Sequence, residues 1–122
     1  MILEKIKIEF SICKVTIVDT KLLDEKFTFI SRTDNELSLI CQTQFVPQNA
    51  VIVEDGWSCF RIAEDAAFEK YGMIAFLTRI IAAEKTGVLV VATYDTDYLF
   101  VKNEKIEQIN NALINNGCQF IE

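Results

Sequence analysis

Two short stretches of this chain combine the residue types and spacing that binding chemistry needs: Phe68-Glu69-Lys70-Tyr71-Gly72-Met73-Ile74 and Thr93-Tyr94-Asp95-Thr96-Asp97. In the first, Gly72 lets the backbone pass close to a ligand, and a helix begins around it. Free N–H groups and the dipole at a helix start suit a carboxylate. A plainer reading is that Gly72 only lets the first helical turn pack closely on a sheet. In the second stretch, Asp95 and Asp97 flank Thr96, and extended backbone would put both acids on one side, where they suit an ammonium. Together the two stretches describe a zwitterion-matched site. The plainer reading makes Asp95 and Asp97 turn residues that cap their own backbone amides. The candidate ligand-binding residues are therefore Phe68, Tyr71, Gly72, Met73, Ile74, Thr93, Tyr94, Asp95, Thr96 and Asp97.

Other chemistry finds little support. The chain has no histidine, so the usual acid–base group of neutral pH is missing. Asp95 and Asp97 could act as an acid–base pair, but nothing in the sequence orients a nucleophile beside them, and no phosphate-cradling or dinucleotide motif occurs. Four cysteines (Cys13, Cys41, Cys59 and Cys118) lie far apart without a CxxC pair, so a zinc site would need all four to converge from distant segments. Each sits in an apolar stretch and reads as a small buried hydrophobe in a reducing cytoplasm. No metal and no cofactor are expected. Trp57, Tyr94 and Tyr98 are pocket aromatics or, more often at strand positions, core or interface ones. Arg61 and Arg79 could hold a carboxylate or pair with acids; most such arginines are merely solvated.

The net charge of −6 comes from 18 acids against 12 scattered bases, which argues against nucleic acid and against an anionic membrane surface. Charged residues interrupt the first positions (Glu4, Lys5, Lys7), unlike a signal peptide, and no apolar run reaches the length of a membrane span. With 122 residues, 51% of them hydrophobic, the chain suits one compact unit or two small lobes that share a core or interface.

The elements that must position the candidate residues follow from periodicity. Residues 6–18 alternate as a half-buried strand, 19–25 read as a short helix or turn, and 27–31 and 37–41 make a hairpin around Arg32-Thr33-Asp34-Asn35. Pro47-Gln48-Asn49 marks a loop, residues 51–53 a strand, Asp55-Gly56 a turn signal, and 57–62 a further strand. A lobe boundary is placed at that turn (1–55 and 56–122), although a strand can cross it. Beyond it, Ile74, Leu77, Ile80 and Ile81 form a helical stripe within 70–85. Strands are expected at 88–92 and 98–101, and a helix capped by Asn103 carries Ile106, Ile109 and Leu113 to the stop at Asn116-Gly117. Residues 118–121 give a final strand. Strand, helix, strand, strand, helix, strand is the ferredoxin-like βαββαβ order, with both helices on one face of an antiparallel sheet. The first half reads as a reduced copy without full helices.

Gly56-Trp57-Ser58-Cys59-Phe60-Arg61-Ile62 and the run from Val91 to Lys102 resemble the small bacterial ACT-domain proteins related to the arginine-sensing ACT tandems of animal cells. Gly72-Met73-Ile74-Ala75-Phe76-Leu77-Thr78 is similar to that family's helix start, and Glu36-Leu37-Ser38-Leu39-Ile40-Cys41 to its N-terminal hairpin strand. The resemblance implies an α+β fold of tandem ferredoxin-like ACT lobes, and a regulatory module that binds a small molecule such as an amino acid without catalysis. A homodimer is the expected assembly. The alternative is a structural protein that pairs through its sheets or helices and binds no metabolite. Three positions depart from the family pattern: Asp65-Ala66 replaces an expected Gly-Pro, the glycine expected near Lys85 is Gly87, and Ala92 replaces a small hydroxyl residue.

Overall fold

The computed structural model describes residues 1–63 and 71–121. Over these the periodic segments become strands β1 (Ile2–Val15), β2 (Phe29–Arg32), β3 (Leu37–Gln42), β4 (Ile52–Ile62), β5 (Leu89–Ala92), β6 (Asp97–Lys102) and β7 (Gln119–Ile121). Helices α1 (Met73–Ala83) and α2 (Ile106–Asn115) and 3-10 turns at Thr20–Asp24, Thr43–Phe45 and Asn103–Lys105 complete the order. The turn expected at Asp55-Gly56 does not form. Gly56 takes φ +85° inside β4, a conformation that glycine alone adopts cheaply, and the strand continues through it. Asn103 also departs from expectation: it opens a 3-10 turn and its side chain accepts from the Ser58 hydroxyl, leaving α2 without a side-chain cap.

The chain divides into two compact units, Ile8–Trp57 and Met1–Lys7 with Ser58–Glu122. The sequence reading placed the boundary at 55/56; the units part after Trp57, and the first residues belong with the C-terminal one.

In the C-terminal unit β4, α1, β5, β6, α2 and β7 run in the ferredoxin-like order. β5 and β6 form an antiparallel hairpin in which Leu89 faces Phe100 and Ala92 faces Asp97. β6 lies beside β4, and the start of β1 takes the place on the far side of β4. The Ala63 amide donates to the Ile2 carbonyl at 2.9 Å, and β7 then adds to β1 in parallel, with Ile2 opposite Gln119 and Glu4 opposite Ile121. A plain antiparallel sheet would have β7 directly on β4. The inserted strand accounts for the parallel pairing of β7.

The core of this unit lies between the sheet and the two helices. Phe60 and Ile62 of β4 and Leu99 and Val101 of β6 meet Leu77, Ile80 and Ile81 of α1 and Ile109 and Leu113 of α2, with Leu3 of β1 fully buried among them. Alternation sends every second residue of these strands to the opposite face. Helix α2 ends on Gly117 (φ +95°), whose conformation lets the Cys118 amide reach back to the Leu113 carbonyl at 3.0 Å. Helix α1 ends without glycine. Lys85, just past it, takes φ +60° itself while its amide bonds to the Ala82 carbonyl, and Gly87 comes too late to serve.

The N-terminal unit orders its strands β2-β3-β1-β4, the same frame as its neighbour. Ser11 faces Cys41 and Val15 faces Leu37, and the Val51 amide donates to the Lys14 carbonyl at 2.8 Å. The 3-10 turns at Thr20–Asp24 and Thr43–Phe45 stand where the two helices of the frame would be. Cys13, Val15, Leu39 and Cys41 form a small core backed by Leu22, Val18 and Val46. Ser11 is fully buried on that side, and its hydroxyl is satisfied by Thr43 and Asp55. All four cysteines are free and buried. Burial pushes the Cys41 thiol up to about 12, and raises Cys59 as well, so both stay protonated at neutral pH.

Two outcomes test this arrangement. Leu3→Ala removes a side chain buried between β1 and the helices, and chemical denaturation should show a loss of about 3 kcal/mol; a neutral result would detach β1 from this core. Lys85→Gly relieves a left-handed lysine, and the same measurement should show a gain of about 1 kcal/mol.

Candidate ligand-binding site

Glu4 of β1, Arg61 of β4 and Tyr98 of β6 alternate with core residues, so their side chains emerge on the sheet face opposite the helices. There they form a chain of contacts across three neighbouring strands. Arg61 donates from Nε at 3.2 Å and from Nη2 at 3.1 Å to the same Glu4 oxygen, and from Nη1 at 3.0 Å to the Tyr98 hydroxyl. The bond to Tyr98 raises the Arg61 pKa above its ordinary value, and Glu4 adds to this against the opposing effect of burial. The guanidinium is a fixed positive charge at any working pH.

The turn between β5 and β6 closes the upper end of this row. The Thr93 amide and hydroxyl each donate to the Thr96 carbonyl at 2.8 Å, which folds the loop tightly. The Thr96 hydroxyl then donates to the Ile62 carbonyl at 2.7 Å, tying the turn to the carboxyl end of β4. Between these groups lies a cleft of about 490 Å³ lined by Glu4, Arg61, Ala63, Thr93, Asp95, Thr96, Tyr98 and the edge of Ile62. Its size is that of a small-molecule site, and its lining is mostly polar.

The structure gathers only part of the predicted set. Thr93, Asp95 and Thr96 line the cleft. Tyr94, beside them, is 99% exposed at the turn tip. Asp97 is the first residue of β6, paired with Ala92, and the turn separates it from Asp95; the extended backbone that would place both acids together is not present. Gly72, Met73 and Ile74 open α1, and Met73 and Ile74 pack into the core on the helix side of the sheet. Tyr71 precedes them and is almost fully exposed. Phe68 lies outside the described residues. Gly72 has φ +79°, and among the described residues nothing lies within 4 Å of where its side chain would begin. Its glycine serves the left-handed backbone and not close packing on the sheet.

Glu4 is absent from the sequence candidates, and Tyr98 and Arg61 carry only light weight there as pocket residues. The signal for them is positional: each stands at the odd-face position of a strand whose other face is continuous core. Trp57 is buried, which places it among the core aromatics. Among the described residues no three His, Cys, Asp or Glu side chains gather as metal ligands, and no helix is long and apolar enough to cross a membrane.

A family model described as an ACT domain matches residues 52–115, more than half of the chain and all of the frame from β4 to α2. This chain belongs to the ACT-domain family. The ACT chain is also similar to a solved protein of Agrobacterium tumefaciens, with 28% identity, a TM-score of 0.89, and coverage of 98% of this chain and 91% of that one. A Vibrio cholerae protein of unknown function shares the fold at 22% identity and a TM-score of 0.73, over 93% of this chain and 87% of that one. So does the ligand-free regulatory subunit of aspartate kinase from Thermus thermophilus, at 9% identity and a TM-score of 0.67, over 93% and 95% of the two chains. No curated protein matches the sequence.

Proposed function

We propose that this ACT protein is a non-catalytic regulatory module of the cytoplasm that binds an amino acid or a similar small zwitterion in the cleft of its C-terminal unit. The observation that carries this is the pairing of one fixed cation with carboxylates and hydroxyls in a cleft of about 490 Å³. Arg61, oriented by Glu4 and Tyr98, attracts the ligand carboxylate, and Asp95 at the turn attracts the ammonium. The Thr93 and Thr96 hydroxyls complete the polar wall. Asp97, Gly72, Met73 and Ile74 stand outside the cleft and are assigned no contact. The fold shared with a regulatory subunit of aspartate kinase supports the regulatory part of the reading. A ligand that ties the turn to Arg61 would favour one arrangement of the turn, and a partner protein could read that shift.

Pairing of two copies is the accompanying expectation, and one observation favours it. Among the described residues β5 ends the sheet order, with Leu89 and Val90 more than a third exposed, so its edge is open to a second chain.

Thermal melting against the twenty amino acids at millimolar concentration tests the proposal. A ligand present at a hundred times its dissociation constant stabilises by roughly 2.7 kcal/mol, which moves the midpoint by several degrees. Arg61→Gln and Asp95→Asn should each abolish that shift while leaving the unliganded protein folded. A flat panel would defeat the binding role, and light scattering would then decide whether pairing of copies is the chain's function.

A further inference from the structure

The N-terminal unit carries a second and larger cleft, of about 790 Å³, which the reading above does not use. It opens just past the carboxyl end of β1, the first strand of that unit's frame, as the first cleft opens at the end of β4. Its cause is the loss of helices. The 3-10 turns Thr20–Asp24 and Thr43–Phe45 are too short to roof the end of the sheet, and the loops beside them become walls.

The walls are of two kinds. Ile17, Val18, Leu22, Phe45 and Pro47 supply an apolar side, while Asp19, Lys21 and Glu25 supply charge. Val18 and Leu22 also back the unit's core, which anchors that side. Ile17 is 64% exposed, and packing within the chain does not explain an isoleucine there. Asp19 is held in place because its carboxylate accepts from the Lys21 amide at 3.0 Å. The turn is fixed further by Thr28, whose hydroxyl donates to the Leu22 and Glu25 carbonyls. Two carboxylates against one ammonium leave the cleft with a net negative charge, in a chain whose formal charge is −6.

We infer that this cleft is a binding site for an amphipathic cation, a small molecule with one ring or a short branched chain as its apolar body and an ammonium at its end. The body lies against Ile17, Phe45 and Pro47, removing their apolar surface from water. The ammonium meets Glu25 and Asp19. An anion of the same shape is excluded by the same two carboxylates. Both clefts pair two carboxylates with one cation, but this one adds the apolar wall that the first lacks, so the two units take different ligands.

Three probes of one shape test this: phenethylamine (a cation), phenylalanine (a zwitterion) and hydrocinnamate (an anion), each titrated into the full chain and followed by amide chemical shifts. Saturable binding of phenethylamine, with shifts at residues 17–25 and 45–49 and none with hydrocinnamate, is the expected result. Glu25→Gln and Ile17→Ser should each weaken it about fivefold or more, and Ile17 is exposed enough that its change leaves the fold intact. Arg61→Gln should leave it unchanged. Absence of saturable binding by phenethylamine would overturn the inference. Equal or tighter binding of hydrocinnamate would overturn it too. So would amine binding that responds to Arg61→Gln and not to Glu25→Gln, which would return it to the first cleft. Failure of the amino-acid panel at Arg61 leaves this outcome untouched, since the two sites share no residue.

Discussion

Everything at the first cleft depends on the strand that is borrowed from the far end of the sequence. Strand β1 enters the C-terminal sheet between β4 and β7, and two adjacent residues do opposite work there. Leu3 turns inward and is fully buried among the helices, while Glu4 turns outward and holds the Arg61 guanidinium. Without β1, Arg61 would lose its carboxylate and β7 its partner. The arginine would then be a loosely solvated side chain, and the cleft would lack its fixed charge. A single strand therefore couples the integrity of the core to the geometry of the site.

The remaining wall is set by hydrogen bonds within one turn. Thr93 closes the loop on Thr96, and Thr96 closes it on Ile62, so the hydroxyls fix where Asp95 stands relative to β4. Neither bond is strong alone, each being worth about 1 kcal/mol. Their value here is positional. They hold the exposed Asp95 carboxylate at the mouth of the cleft.

The C-terminal frame was largely legible from local pattern. The stripe of Ile74, Leu77, Ile80 and Ile81 and the apolar run before Tyr94 needed no long-range information, and both become elements where periodicity puts them. Long-range facts were not legible. The pairing of Ile2–Glu4 with Gln119–Ile121 leaves no trace in either segment, because the charged residues near the start hide the alternation. Gly56 misled as a turn signal because a positive φ can be absorbed in a strand as well as in a turn. The site was half legible for the same kind of reason. Thr93, Asp95 and Thr96 announce a turn with polar side chains, but whether the helix start shares their cleft depends on the face to which each strand residue points. That parity puts Arg61 and Tyr98 with the turn and leaves Met73 and Ile74 with the core. The left-handed position at Lys85, where glycine was expected, is a local cost the fold tolerates.

The proposed amino-acid site lies on the sheet face opposite α1 and α2, at Arg61 and the β5–β6 turn. Amide chemical-shift mapping of the isotopically labelled protein, titrated with the amino acid that stabilises it, tests this most directly. The account predicts saturable shifts at Glu4, Ile62, Ala63 and residues 93–96, with residues 71–74 at the start of α1 unmoved. Shifts confined to the start of α1, with the turn and Arg61 silent, would contradict it.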